Sequence, residues 1–472
     1  MTEDIAAPLP WRREAWIVTA ILLLAAVLRF AGCGRHSLWF DEVVAMQMAR
    51  AKNWPDVMDA LGRMDLSRAP LHPLMLHGWL RAFGTTDAAG RSLSAFLGTL
   101  AVVAGWWAAR EALGIRVALW AACLLAACPL AVHYSQETRM YSLLLLFTCL
   151  AWALLFSFRR SAPAWKRASF GLAQLGLFYS HPLGMFMLVA LAVGYLADRG
   201  SSRLGWRGWL VVQLGVTALA VPWLPRYFDH APHAKPGFPL ASRYFTWPQL
   251  LIGGNGLVAW VAYALILLGI WRFRRDGKGG VVLSLVSWFA IPLILLYAYS
   301  RARVPIFGPP RYLLFVGPAF LILLARGLDA MRPWSRGVAM AGGALLSAQA
   351  LWLTVYAPEV KPGWRDAAAA IRAIDPSATV VVRGSHPSMY PTTLRYYLGA
   401  DADVVTAHEW SEAIREGRRD PSASAWFIHD RYFTDPERPV PFDQYKMDRP
   451  MHFDRVEMFL GRLTIAGDTA LR

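Results

Sequence analysis

The sequence predicts an α-helical polytopic membrane protein with about 11 transmembrane helices, followed by a C-terminal soluble α/β domain. Three observations support this prediction. The 472 residues are 56% hydrophobic and only 17% charged, whereas soluble domains carry about 25% charged residues. Apolar runs long enough to cross a bilayer recur up to residue 356, separated by short clusters of arginine and lysine. Beyond residue 357, short β-branched runs alternate with helix-like segments.

The apolar runs define the predicted transmembrane helices, each bounded by charged or turn-forming residues. They cover 15–32, 89–109, 115–132, 141–158, 168–180, 183–197, 208–225, 256–271, 280–299, 312–326 and 336–356. The predicted domains are therefore a transmembrane module, 1–357, and a soluble domain, 358–472. In the latter, the pattern predicts helices near 364–374, 388–398 and 409–416, and strands at 379–382, 404–405 and 426–428, which suggest a small, mostly parallel sheet.

The distribution of basic residues predicts how the chain crosses the membrane. The formal net charge is +16, but the arginines and lysines form short clusters in alternate loops, as in cytoplasmic loops of membrane proteins and unlike a nucleic-acid-binding surface. We therefore expect a multi-pass protein of a bacterial cytoplasmic (inner) membrane, with a cytoplasmic N-terminus and an extracytoplasmic C-terminal domain. The outward loop 33–88 is long, and long loops in compact proteins are usually functional.

The four cysteines indicate no redox or metal chemistry. Three of them lie within apolar runs, no CxxC occurs, and no disulfide framework is suggested. They are Cys33, Cys123, Cys128 and Cys149.

An acidic segment, Ser37 to Glu42, directly follows the first predicted span. Ser37 is a candidate N-cap, which would place Asp41 in the first helical turn, where the helix dipole favours an ionised carboxylate. Such a carboxylate is a candidate general base. The alternative is an ordinary solvated helix start.

Two further outward segments carry charge close to the predicted membrane. The segment 133–141 contains Glu137 and Arg139, which could also simply pair with each other. The segment 301–312 contains Arg301, Arg303 and Arg311. Arginine is suited to bidentate phosphate binding, and these positions run against the positive-inside rule. The alternative is that the long side chains extend along helix ends to the interface.

Histidines complete the set of candidate residues. His72 and His77 follow Arg68 in the first loop, and His181 lies in a tight turn between two predicted spans. No spacing of histidines and acids matches a known metal site. Polar turns or packed histidines remain the alternative interpretation.

Taken in order, these motifs resemble the GT-C membrane glycosyltransferases of glycosyltransferase family 39, which includes protein O-mannosyltransferases and the lipid A aminoarabinose transferase. The resemblance covers roughly residues 15–330. It rests on Leu38-Trp39-Phe40-Asp41-Glu42, Arg68–Trp79, Ala89–Ala95, Tyr134–Tyr141 and Pro310-Arg311-Tyr312. Relatives often read His-Pro-Pro where this chain has Arg68-Ala69-Pro70, which puts a role for His72 in doubt.

The resemblance implies inverting transfer of a sugar from a polyprenyl-phosphate-linked donor to a lipid, glycan or protein acceptor at the outer face. It implies that Asp41 is the catalytic base, with Glu42 and Glu137 as further catalytic candidates. The donor-binding candidates are Arg68, His72, Arg139, Tyr141, His181, Arg301, Arg303, Arg311 and Tyr312. We expect no cofactor; a divalent metal is not favoured, because Asp41-Glu42 is not a DxD pair.

A transporter or flippase of a lipid-linked sugar is the alternative function. Transporters are typically built from internal repeats with interrupted helices near the bilayer midplane. The sequence has no such repeat, and its ionisable residues lie at the predicted outer ends of the spans, as chemistry at one face requires.

Overall fold

The computed structural model describes residues 11–65, 67–228, 248–275, 279–303, 310–357, 361, 363–383, 389–420, 425–430, 445–447, 451–453 and 456–463. Contacts between Cα atoms divide the chain into two compact units. The helical unit comprises Met1–Cys33 and Met48–Val355; the C-terminal unit comprises Gly34–Gln47 and Tyr356–Arg472. The sequence-based division after residue 357 stays a prediction. The sequence did not indicate that residues 34–47 group with the C-terminal unit.

Helices account for most of the chain before residue 352. They are α1 (Trp11–Phe30), α2 (Phe40–Ala49), α3 (Trp54–Met64), α4 (Leu71–Phe83), α5 (Asp87–Leu113), α6 (Ile115–Ala126), α7 (Pro129–Ser135), α8 (Tyr141–Ser157), α9 (Ala164–Ser180), α10 (Gly184–Ala197), α11 (Gly205–Ala220), α12 (Leu224–Phe228), α13 (Pro248–Ile252), α14 (Gly256–Arg275), α15 (Gly279–Ala302), α16 (Gly317–Asp329) and α17 (Pro333–Leu351).

A helix lies over each of the eleven predicted runs, but length and composition support fewer complete spans. Among the described residues, Asp87–Leu113, Gly205–Phe228, Gly279–Ala302 and Pro333–Tyr356 are long and apolar enough to cross a membrane, and the bent pair α6–α7 could form a fifth span. Shorter apolar helices cover Tyr141–Ser157, Gly184–Ala197 and Gly256–Arg272. The count of eleven therefore stays a prediction.

Two helices, α6 and α7, cover the predicted span 115–132, and they meet at an angle of 56°. Pro129 has no N–H to donate to the carbonyl of Leu125, so the helix breaks there. The fully buried Arg29 on α1 takes over part of that bonding. Its Nη2 donates to the Leu125 carbonyl at 3.1 Å and its Nη1 to the Ala126 carbonyl at 2.9 Å.

The turn between α9 and α10 fixes the position of His181. A side chain at Gly184 would collide with the Leu177 carbonyl, so only glycine lets the two helices approach this closely. The turn is closed by the backbone N–H of Leu183, which donates to His181 Nδ1 at 3.0 Å. His181 is thereby held in one orientation, with 8% of its surface exposed.

The C-terminal unit contains a six-stranded sheet with helices on both faces. Its helices are α18 (Trp364–Ile374), α19 (Met389–Leu398) and α20 (Ala407–Arg415), and its strands are β1 (Thr379–Arg383), β2 (Val404–Thr406), β3 (Ala425–Asp430), β4 (Tyr445–Met447), β5 (Met451–Phe453) and β6 (Val456–Leu463). The order is β2-β1-β3-β6-β4, with β5 also paired to β6.

The sheet is mixed and not mostly parallel as predicted. β1 pairs with β2 and β3 in parallel, whereas β3, β4 and β5 pair with β6 in the antiparallel direction. One face packs Trp364, Leu394 and Trp426 into a core, and the other packs Trp410 and Phe427. The alternation of β1 between these two cores explains its continuous valine run.

Candidate active site

An ion pair lies at the centre of the candidate site in the helical unit. Asp65 follows α3 directly, and its Oδ2 lies 3.4 Å from Nη1 of Arg139; the two side chains are only 8% and 10% exposed. Asp65 Oδ1 accepts the backbone N–H of Ser67 at 2.7 Å. Burial alone would raise the pKa of Asp65, but Arg139 and the Ser67 hydrogen bonds outweigh it and lower the pKa below its usual value.

Two histidines next to this pair are held neutral. Burial, reinforced by the charge of Arg139, lowers the pKa of His72 to about 3. Burial also lowers the pKa of His181 to about 3; Asp65 opposes this shift, while Arg139 and Arg311 add to it. His181 therefore responds to the charges of Asp65, Arg139 and Arg311 together. Neutral imidazoles can donate or accept hydrogen bonds without adding charge.

Aromatic rings connect His181 to the segment that carries Arg311. The centre of the Tyr141 ring lies 6.2 Å from that of the His181 ring, and the centre of the Tyr312 ring lies 6.0 Å from that of the same histidine. The Arg311 guanidinium sits 5.1 Å from the centre of the Tyr312 ring. The hydroxyl of Tyr134, whose ring packs edge-on against Tyr141, hydrogen-bonds with the backbone of Arg311.

Glu137 and Arg139 each have a partner that the sequence did not suggest. Glu137 is 4% exposed, and its Oε1 lies 3.4 Å from Nε2 of His133. His133 Nδ1 in turn donates to the carbonyl of Thr354 at 2.9 Å. Arg139 pairs with Asp65. Each of the two charges thus has a partner besides the pairing with each other that the sequence suggested.

Three of the predicted arginines occupy other positions. Arg301 and Arg303 have exposed side chains at the C-terminal end of α15, and the structure does not bring them to the Asp65–Arg139 pair. Arg68 adopts a left-handed backbone conformation, with φ of 49°. Its carbonyl accepts the indole N–H of Trp223 at 3.1 Å, which helps hold this strained turn.

The acidic segment belongs to the C-terminal unit. Glu42 is fully buried, and its Oε2 lies 3.0 Å from Nζ of Lys361. The same oxygen accepts the backbone N–H of Trp39 at 3.3 Å, as an acid at the third helical position does in a capping box. Asp41 is in the first turn as predicted, and it is only partly buried.

The predicted N-cap at Ser37 is wrong. Helix α2 begins at Phe40, and Ser37 Oγ instead accepts the backbone N–H of Arg365 at 3.0 Å. The Arg365 guanidinium donates to the carbonyls of Gly34 and Arg35, and the Tyr397 hydroxyl accepts the N–H of Leu38 at 2.7 Å. These contacts fix the chain that leads into Asp41.

Sequence reasoning missed Asp65 altogether. One signal was available: a charge close to the predicted membrane, such as Arg139, is usually paired, and Asp65 is an acid on the same predicted outward side. As for metals, no group of three histidine, cysteine, aspartate or glutamate side chains within the described part of the chain is placed to hold an ion. Metal independence stays a prediction.

Comparison with known proteins identifies the fold. The profile of the dolichyl-phosphate-mannose-protein mannosyltransferase family matches residues 67–225. ArnT from Cupriavidus metallidurans superposes with a TM-score of 0.63 over 97% of this chain and 100% of its own, at 16% identity. This chain has the GT-C glycosyltransferase fold. In the described part of the chain, four helices are long and apolar enough to cross a membrane, and the profile match over residues 67–225 supports the family resemblance expected from the motifs.

Two further comparisons concern ligands of similar proteins. ArnT bound to undecaprenyl phosphate superposes with a TM-score of 0.58 at 16% identity, over 96% of this chain and 99% of its own. The oligosaccharyltransferase AglB from Archaeoglobus fulgidus, in complex with an inhibitory peptide and a dolichol-phosphate, gives a TM-score of 0.56 at 12% identity, over 89% of this chain and 70% of its own. A search of curated protein sequences gave no match.

Proposed function

We propose that this protein transfers a sugar from a polyprenyl-phosphate-linked donor to a lipid, glycan or protein acceptor at the outer face of the membrane. The observation that carries the proposal is the GT-C fold over 97% of the chain. It is combined with a largely buried Arg139 and with Arg311 beside Tyr312, whose ring lies 6.0 Å from that of His181. ArnT and AglB have been solved with polyprenyl phosphates. A lipid phosphate is thus the ligand chemistry that these two structural neighbours share.

The donor phosphate is assigned to Arg139 and Arg311. The charges of both guanidiniums lower the pKa of His181, so both would act electrostatically on an anion beside that ring. Their charges stabilise the phosphate as it leaves, when its negative charge increases. His72 and His181, being neutral, supply hydrogen bonds to the donor without repelling the guanidiniums. Asp65 orients Arg139 through their ion pair.

Asp41 is assigned as the general base. In the transfer step the acceptor oxygen attacks the anomeric carbon, the bond from that carbon to the phosphate oxygen breaks, and Asp41 takes the acceptor's proton. Attack opposite the leaving phosphate inverts the anomeric centre. Glu42 is less suited to this role, because its carboxylate is held by Lys361 and by the Trp39 N–H. Glu137 is likewise engaged with His133.

The direct test is sugar transfer in proteoliposomes that contain the purified protein, a radiolabelled polyprenyl-phosphate sugar and an extract of envelope lipids. The wild type should move label to an acceptor, and Asp41→Asn should not. Asp59→Asn is the matched control, because Asp59 is an exposed acid in the same loop. Donor consumption that is equal in Asp41→Asn and the wild type would overturn the assignment of the base. Mass spectrometry of glycolipids and glycoproteins in a strain without this protein would identify the acceptor.

A further inference from the structure

Helices α9 and α11 run side by side in the same direction. Near their starts, Arg167 Cδ lies 3.8 Å from the position of a side chain at Gly208; further along, Gly171 lies against Val212 and Val216. Near their ends the Tyr179 hydroxyl donates to the Leu219 carbonyl at 2.6 Å. The two helices are thus in contact at both ends of the shared stretch.

Between these contacts the two helices leave a groove. It has a volume of about 520 Å³ and is lined by alanine, glycine, valine and leucine residues of both helices, with Arg167 as its one charged lining residue. Leu172 and Val211 on its rim are 66% and 68% exposed. At Gly215 the groove is open, because a Cβ there would meet no atom within 4 Å. From Ala164 to Leu175 the groove extends about 16 Å at 1.5 Å per residue.

The Arg167 end of the groove has the features of a membrane interface. Trp165 and Trp206, at the starts of α9 and α11, are 64% and 59% exposed, and exposed tryptophans mark the level of lipid headgroups. Two neighbouring arginines are neutralised: Arg159 pairs with Asp198 at 3.3 Å and Arg160 with Glu111 at 3.1 Å. Among the described residues, Arg167 forms no such ion pair.

We infer that this groove binds an acyl chain of an anionic membrane phospholipid, with the lipid's phosphate at Arg167. The apolar lining matches the chain, and a guanidinium at headgroup level matches the phosphate. The sugar donor in its reacting position is a different lipid, since His181 lies fourteen positions beyond Arg167, about 21 Å along α9. The phospholipid site does not depend on the proposed function. It faces the leaflet at the Arg167 end of α9, opposite to the leaflet at the His181 end.

The test is to purify the full chain in a mild detergent and to quantify the co-purified phospholipids by mass spectrometry. Two variants address the two parts of the site. Gly215→Leu fills the groove without a clash, and Arg167→Gln removes the charge at a half-exposed position. We expect each to lower the amount of retained phosphatidylglycerol or cardiolipin at least threefold relative to the wild type.

Two matched controls separate specific loss from general effects. Gly343→Leu introduces the same side chain on α17, where a Cβ also meets no atom within 4 Å. Arg207→Gln removes an exposed charge at the same end of the bundle, where Arg207 lies over Trp206. Both controls should retain lipid as the wild type does.

A second measurement protects the test against a variant that misfolds. Added phosphatidylglycerol should raise the Tm of delipidated wild type more than phosphatidylcholine does, because a ligand that binds only the folded state stabilises it. Arg167→Gln should lose that difference. Equal retention in Gly215→Leu and the wild type, a preference for phosphatidylcholine, or retention of a polyprenyl phosphate as the bound lipid would each overturn the proposal.

Discussion

Asp65 and Arg139 stand 74 positions apart, yet their side chains form an ion pair of 3.4 Å in which neither is more than 10% exposed. Burying two charges costs several kcal/mol each unless they are well paired. This pair lies beside two neutral histidines and a second arginine. The cost of burying it is explained if these residues form a functional site inside the helical bundle. The following predictions test that interpretation.

Replacing only one member of the Asp65–Arg139 pair should destabilise the helical unit more than replacing both. Asp65→Asn leaves Arg139 buried without its carboxylate, so the free energy of unfolding should fall by roughly 3–5 kcal/mol. The double variant Asp65→Asn with Arg139→Gln should recover a large part of that loss. Thermal unfolding in detergent measures the cycle. Purely additive losses in the double variant would contradict the coupling.

Acidification below pH 6.5 should weaken the fold, because two buried histidines resist protonation in the folded state. With folded-state pKa values of about 3 for His72 and His181 and about 6.5 when unfolded, the unfolded chain binds more protons between these values. Stability should therefore be full above pH 6.5 and fall as the pH drops toward 3, by up to about 1.4 kcal/mol per pH unit for each histidine. His72→Asn should reduce this slope, whereas replacing the exposed His408 should leave it unchanged.

Replacing Asp41 should lower the rate of sugar transfer, whereas replacing Glu42 should mainly lower thermal stability. Asp41→Asn should lower transfer by about two to four orders of magnitude without loss of folded protein, as expected for a general base. Glu42→Gln should be milder in transfer but should lower the Tm, because Lys361 loses its buried counter-charge. Turnover and melting curves on the same preparations separate the two effects. If Glu42→Gln were the inactive variant, the two roles would be exchanged.

Arg311 should determine the use of the donor. Arg311→Lys should weaken donor dependence and Arg311→Ala should weaken it further, since lysine cannot replace a bidentate guanidinium. A charge-assisted hydrogen bond contributes about 1.5–3 kcal/mol, so a loss of roughly ten- to a hundredfold is expected. Arg303→Ala, at an exposed position, is the comparison. Donor titrations with unchanged curves for Arg139 and Arg311 variants would rule out the phosphate assignment.

The direction of the chain across the membrane is open to a reporter test. The alternating basic loops predict that the N-terminus is cytoplasmic and that residues 357–472 are outside. A reporter that is active only in the cytoplasm, fused after residue 400, should therefore be silent, and the same reporter fused after Arg160 should be active. A strong signal from the fusion after residue 400 would reverse the orientation.

Much of the helical architecture could be predicted from the sequence, because apolar length is a direct signal of a membrane helix. The bend in the third apolar run was not predicted, because a single residue causes it. Pro129 lies within an uninterrupted apolar run, and hydropathy does not register its missing N–H. In the C-terminal unit, Thr379–Val382 and Trp364–Ile374 were predicted within one residue. The sequence analysis predicted no strand after residue 428, so it missed β6 and, with it, the antiparallel part of the sheet.

The site was less predictable than the fold. Arg139 and Arg311 could be singled out because arginines on outward loops run against a rule about membrane insertion. Asp65 was harder to single out. An acid in an outward loop violates no such rule, and among the acids that could pair with Arg139 only the folded chain shows which one does. The same holds for Glu42, whose partner Lys361 is 319 positions away.

The contact between Arg29 and the end of α6 has a consequence for assembly. In hydrocarbon, a carbonyl without a donor costs several kcal/mol, because water is absent. The carbonyl of Leu125, which Pro129 leaves without a backbone donor, is satisfied inside the bilayer only when Arg29, 96 positions earlier in the chain, packs against it. The first helix is therefore required for the folding of the third apolar segment, and a chain that begins after α1 should insert but fail to mature into a protease-resistant bundle.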